Sequence, residues 1–221
     1  MLKEFFNILK SDSLFDQALS ECYEMLDIVD QMFKTSTKSL RQDSRESYPS
    51  NIYEMDKKIN HFERDVRRKI MTHLTVNPQQ DLSSGLALVS VVIDIERMGD
   101  YTKNIYDLAI KYPKKLDAAK YEPKVSKMEQ DVTNFLKSTI EAFKSQDVDL
   151  ARKLMEDYKT DISSVSNEIV NEIVSNESSL LGGAQSGALC LYLRYLKRVS
   201  AHSRNLVSSI VNPFERIGYP E

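Results

Sequence analysis

Glu96 and Asp100 stand four residues apart. On a helix they share one face and lie about 6 Å apart along the axis. A like-charge pair at that spacing costs roughly 0.2–0.5 kcal/mol on a bare helix, so a positive group is expected close by. Arg97 supplies one only in part, because it projects about 100° away from Glu96 around the helix. Upstream, Asp56, Asn60 and Glu63 follow i, i+4 and i+7 spacing, which is again one face. Folding this segment back about a turn centred near Pro78 levels Asn60 with Glu96 and Asp56 with Asp100. Four oxygen-bearing side chains then meet on one seam. Such a set suits a hard cation: magnesium, calcium, manganese or ferric iron. Zinc is poorly served, since the set holds no His or Cys. The same acids also suit a solvated helix face, because 29% of the chain is charged.

The elements that must position these residues read as helices. Gly and Pro number six each in 221 residues, Trp is absent and hydrophobic residues make up 41%. Scarce breakers with abundant charge favour long helices over a strand-rich fold. Local breaks predict six helical stretches: about 13–43, 49–74, 81–111, one opened by Glu122-Pro123, 147–176 with Asp147 as N-cap, and one between Gly182-Gly183 and Asn212-Pro213. In the third, Leu88, Val91, Ile95, Met98, Thr102, Ile105 and Ala109 follow three-four spacing. A second stripe, Leu82, Leu86, Val89 and Ile93, runs beside it and continues into Glu96 and Asp100. Together they predict a wide apolar face touching two neighbours.

A shift of 101 residues lays the second and third helices on the fifth and sixth. Asp56 then meets Asp157, Lys58 meets Lys159, Arg97 meets Arg198 and Asn104 meets Asn205. One offset serving both identities and breaks implies a duplicated three-helix unit. The expected architecture is all-α, two tandem three-helix bundles, over residues 1–112 and 113–221.

The run from Asp94 to Ile105, DIERMGDYTKNI, resembles the signature helix of PhoU proteins, approximately D-x-E-R-x-G-D-x-x-x-N-I. Met55 to Asn60 resembles the second helix of that family, and Asn77-Pro78 with Asp81-Leu82 resembles its turn. The resemblance implies two tandem three-helix bundles and metal ions held by E-x-x-x-D motifs. It also implies a negative regulator of phosphate uptake, working with a phosphate transporter or the phosphate-sensing histidine kinase. Metal-ligand roles fall on Glu96 and Asp100 and extend to Asp56 and Asn60. Gly99 is expected to admit a close helix approach, and Arg97 to orient a carboxylate.

The second repeat departs from the pattern: Lys197 stands for Glu96 and Ala201 for Asp100, while Asp157 and Asp161 remain. By the same levelling Lys197 faces Asp161, and a salt bridge replaces the metal there. One metal site is therefore expected, in the first repeat. His202, beside the lost position, has no partner at zinc-type spacing and reads as a surface or packing residue. The aromatic and basic tail 212–219 suits either a contact segment or packing back on the bundle.

Composition narrows the remaining classes. With 30 basic and 33 acidic residues the chain is too balanced for a nucleic-acid binder that works by phosphate neutralisation. Cys22 and Cys190 form neither a metal pair nor a disulfide framework and read as reduced, buried thiols. No apolar run approaches a membrane span, and the first residues lack a signal-peptide pattern. A cytoplasmic location follows, with any place at the inner face of the membrane reached through a partner; a homodimer is compatible with this reading. Di-metal bundle oxidases require Glu-x-x-His motifs, and His61, His73 and His202 follow Lys58, Ile70 and Val199 instead. A binding regulator is expected rather than an enzyme, with a metal-free helical adaptor as the alternative.

Overall fold

A computed structural model describes residues 13–42, 51–76, 81–157, 161–175 and 181–220, without the side chains of Asp157 and Asp161. Helix α1 spans Leu14–Arg41, α2 Ile52–Val76 and α3 Leu82–Lys111. Helix α4 spans Glu122–Ser145, α5 Val148–Asp157, α6 Asp161–Val174 and α7 Gly183–Val211. The predicted breaks within the described residues lie where the helices stop. Ser13 and Asp16 form a reciprocal capping box at the head of α1. Tyr112 caps the end of α3, Pro123 sits in the first turn of α4, and Gly182 and Asn212 flank α7. The Asp147 carboxylate accepts the Leu150 N–H at 2.9 Å, as an N-cap does. The predicted fifth helix corresponds to α5 and α6, which lie on either side of residues 158–160, outside the described residues. The breaks at Tyr48-Pro49 and Asn77-Pro78 lie outside the described residues.

The first bundle is α1, α2 and α3; the second is α4, α5–α6 and α7. Shifting α3 by 101 residues gives 183–212, against the observed Gly183–Val211, so the duplication holds in three dimensions. The two central helices α3 and α7 pack on each other and join the bundles. Residues 112–121 are tied down between them. Leu116 N–H bonds the Leu40 carbonyl at 2.9 Å, and the Arg41 guanidinium contacts both the Leu116 carbonyl and the Glu122 carboxylate.

Every residue of the first α3 stripe, Leu88 through Ala109, is buried. The second stripe is not: Leu82 is 51% exposed, and Leu86 and Ile93 are each 38% exposed. The expectation that both stripes are covered is corrected by the packing. Helices α1, α2 and α7 surround α3, and the second stripe is left on their open rim. Cys22 is buried, and burial pushes its thiol well above the ordinary range. Cys190, expected to be buried too, is only half-buried.

Candidate functional site

The signature residues occupy two sides of α3. On the side facing α2, the Lys103 ammonium donates to both Asp56 oxygens at 2.9 Å and to Asp100 Oδ1 at 3.1 Å. Arg97 donates to Asp100 Oδ2 at 3.2 Å, and its Nε lies 3.5 Å from Glu96 Oε2. Arg97 therefore orients the carboxylate it was expected to serve. Burial would by itself lower the Lys103 pKa, but the bonds to Asp56 and Asp100 outweigh it and hold the ammonium above its ordinary value. Burial, then the charge of Asp100 and that of Glu63, holds the Glu96 carboxyl above the usual glutamate range against the pull of Arg97.

The two helices meet close to the expected levelling: Asp56 and Asp100 share the Lys103 ammonium, and Ile59 lies against Gly99. Glu63, on the same face of α2, adds its charge at Glu96. The Asn60 amide turns back on its own helix, donating to the Asp56 carbonyl at 2.9 Å and to Asp56 Oδ2 at 3.3 Å. Close packing below the seam sets this register. A Cβ placed on Gly99 would lie 2.8 Å from Ile59 Cδ1, so glycine is required for the approach.

The seam thus gathers Asp56, Glu96 and Asp100 as expected and adds Glu63 and Lys103. Lys103 was missed, although it lies three residues after Asp100 on the same stripe. The oxygen donors suit a hard cation. The position between Asp56 and Asp100, however, is held by an ammonium. Among the described residues no three His, Cys, Asp or Glu side chains gather as a metal-holding group. As placed, the residues do not fit a resident metal.

The other side of α3 faces α7. Asp94 Oδ1 accepts from His202 Nδ1 at 2.6 Å and from Asn205 Nδ2 at 2.9 Å. Arg198 Nη2 lies 3.0 Å from His202 Nε2. A guanidinium can only donate, so Nε2 accepts and Nδ1 carries the proton given to Asp94. Arg198 Nε donates to the Tyr101 hydroxyl at 3.2 Å, while the Tyr101 ring stacks on His202. His202 is therefore a buried member of a clasp between repeats. Nothing in the sequence paired it with Asp94, 108 residues away.

In the second repeat Lys197 donates to Asn167 Oδ1 at 2.8 Å. Its expected bridge to Asp161 lies outside the described residues. The tail packs back on α7: Gly218 N–H donates to Ser208 Oγ at 2.6 Å, and Asn212 Nδ2 donates to the carbonyls of Arg216 and Tyr219. Phe214 and Tyr219 remain exposed.

The PhoU domain family profile matches residues 22–109 and 125–218. Three relatives carry the description phosphate-specific transport system accessory protein PhoU homolog. That of Synechocystis sp. is 30% identical over 105 residues, 45% of this chain and 46% of its own. That of Pseudomonas putida is 25% identical over 72% of this chain and 63% of its own. That of Clostridium acetobutylicum is 22% identical over 92% and 87%. The matched stretch thus spans less than two thirds of the first two relatives. Two crystal structures share the fold at 19% identity and TM-score 0.70: PhoU from Pseudomonas aeruginosa, covering 90% of this chain and 95% of that one, and the phosphate transport system regulatory protein PhoU from Streptococcus pneumoniae, covering 89% and 95%.

Proposed function

The chain belongs to the PhoU family, and from that premise we propose that it is a non-enzymatic regulator of phosphate transport and phosphate signalling, acting through protein partners. The carrying observation is the rim of α3. Leu82, Leu86 and Ile93 remain exposed there and lead directly into the half-open acids Glu96 and Asp100. The fold leaves the apolar run uncovered beside these partly buried acids, and an apolar run bordered by charge is the chemistry of a protein contact. The partners proposed are the cytoplasmic part of a phosphate transporter or a sensor histidine kinase. Among the described residues no helix is long and apolar enough to cross a membrane, so contact with the membrane is proposed to run through the partner. The transport-accessory names of the relatives support the same reading.

A metal at Glu96, Asp100, Asp56 and Asn60, which the family resemblance implies, forms no part of the proposal, because the Lys103 ammonium holds the position between Asp56 and Asp100; the regulator is proposed to act as a metal-free adaptor. Uptake of labelled phosphate by cells lacking the gene tests the regulatory role. Uptake is expected to escape repression in excess phosphate, to be restored by the wild-type chain, and not to be restored by Glu96→Ala/Asp100→Ala. Uptake unchanged by the deletion would overturn the proposal.

A further inference from the structure

The rims of α3 and α7 are related by the 101-residue repeat and differ in sign. On α3 the rim positions are Ile93, Glu96, Arg97 and Asp100; on α7 the same positions hold Arg194, Lys197, Arg198 and Ala201. The second repeat keeps the arginine, loses both acids beside it and gains two further cations. We propose that Arg194 and Arg198 form a site for a dianionic tetrahedral oxyanion, inorganic phosphate in the regulator proposed above. The identity of the anion rests on that reading, and the site rests on the charges alone.

Arg97 is compensated: it donates to Asp100 Oδ2 at 3.2 Å, and its Nε lies 3.5 Å from Glu96 Oε2. Arg198 is not. Its Nε donates to the Tyr101 hydroxyl at 3.2 Å, and its Nη2 donates to His202 Nε2 at 3.0 Å. Its guanidinium carbon also stands 5.5 Å from the centre of the Tyr101 ring. All of these partners are neutral, and the Asp94 carboxylate is taken by His202 and Asn205. Arg198 is half-buried, and with two of its five N–H donors committed, three remain for a ligand. Arg194 lies one turn earlier on the same face, exposed, and no acid pairs with it among the described residues. Between them Lys197 donates to another neutral group, Asn167 Oδ1, at 2.8 Å.

Like charges four residues apart repel on a bare helix, and an anion shared between Arg194 and Arg198 relieves that repulsion. A guanidinium forks onto phosphate through two parallel N–H···O bonds. Two forks about 6 Å apart along the axis can close on a compact tetrahedral anion from two sides. The position also bears on regulation. Arg198 donates to His202, which donates to Asp94 on α3, so an anion held by Arg198 sits one bond from the clasp between the repeats.

Calorimetric titration of the purified full chain with inorganic phosphate, in chelator and at constant ionic strength, tests the proposal. Wild type is expected to bind one phosphate per chain. Sulfate should compete, because a set of donors alone does not tell the two dianions apart, and chloride should not. Arg194→Ser, at an exposed position, should fold normally and bind at least about fivefold more weakly. Arg198→Lys keeps the charge but loses the fork, and should weaken binding at least about tenfold. Arg97→Lys, at the equivalent position of the first repeat, should bind as wild type. Should Arg198→Lys lose its helical circular dichroism, Arg194→Ser decides alone. No binding by wild type, or equal affinity of wild type and Arg194→Ser, would overturn the site, as would chloride competing as well as sulfate. Such a failure leaves the regulator to be judged by phosphate uptake in the deletion strain. Phosphate bound as expected with uptake unchanged by the deletion would keep the site and overturn the regulator.

Discussion

Asp94 and Asp100 sit on the same helix, yet they are put to opposite uses. Asp94 points at α7 and is held by two neutral donors, His202 and Asn205, from the other repeat. Its side chain is 13% exposed, so those bonds are shielded from water. Asp100 points at the rim beside α2 and is held by the charged groups Lys103 and Arg97, one of them half in solvent. Neutral buried donors make a fixed joint, because nothing in solution competes for the acceptor. Charged partners open to solvent are screened by water and salt and hold less firmly. The helix thus fastens the two repeats with one side and offers chemistry with the other.

The sharpest way to break this contrast is Asp94→Ala. Removing the shared acceptor leaves the His202 Nδ1–H and the Asn205 amide without it between bundles, and urea unfolding should show a loss of about 3 kcal/mol. A loss no larger than an ordinary surface change would mean the clasp does not hold the repeats together. Next comes Gly99→Val, which drives a branched side chain into Ile59. It should cost about 2 kcal/mol by overpacking, with part recovered when combined with Ile59→Val. Equal stability of the single and double variants would remove the close approach from the account of the seam.

The smallest effect has the opposite sign. Glu96 has a folded pKa above its unfolded value, so its contribution is fully present below the unfolded value and is lost as pH rises through the raised folded value. Near neutrality its ionisation costs the folded state stability. Glu96→Gln, which imitates the protonated form, should therefore raise cation-free stability by about 0.5 kcal/mol. Thermal melts in chelator should show that gain near neutral pH and its disappearance below the ordinary carboxylate range. A loss of stability at neutral pH would mean Glu96 is as well compensated as Asp94.

Much of this arrangement is local and was readable as such. The buried stripe of α3, its start at Asp81 and its stop at Tyr112 follow from spacing and breakers within one segment. So does the common face of Glu96 and Asp100. The fold-back of α2 on α3 was legible from the break between them, whereas the close register itself depends on the fit of Ile59 against Gly99. Lys103 was visible on the acidic stripe, but its reach across to Asp56 depends on that same register. The uncovered second stripe depends on how many helices surround α3, which no single segment encodes.

The sequence by itself determined the helices, their duplication at an offset of 101 residues and the residues of the acidic face. Those properties are carried by period and punctuation along the chain. Only the tertiary structure decided that Lys103 closes the seam and that His202 clasps Asp94. It likewise decided that Leu82, Leu86 and Ile93 stay open to solvent. Each of these depends on the crossing and register of packed helices, which are set by side-chain volumes meeting across the interface.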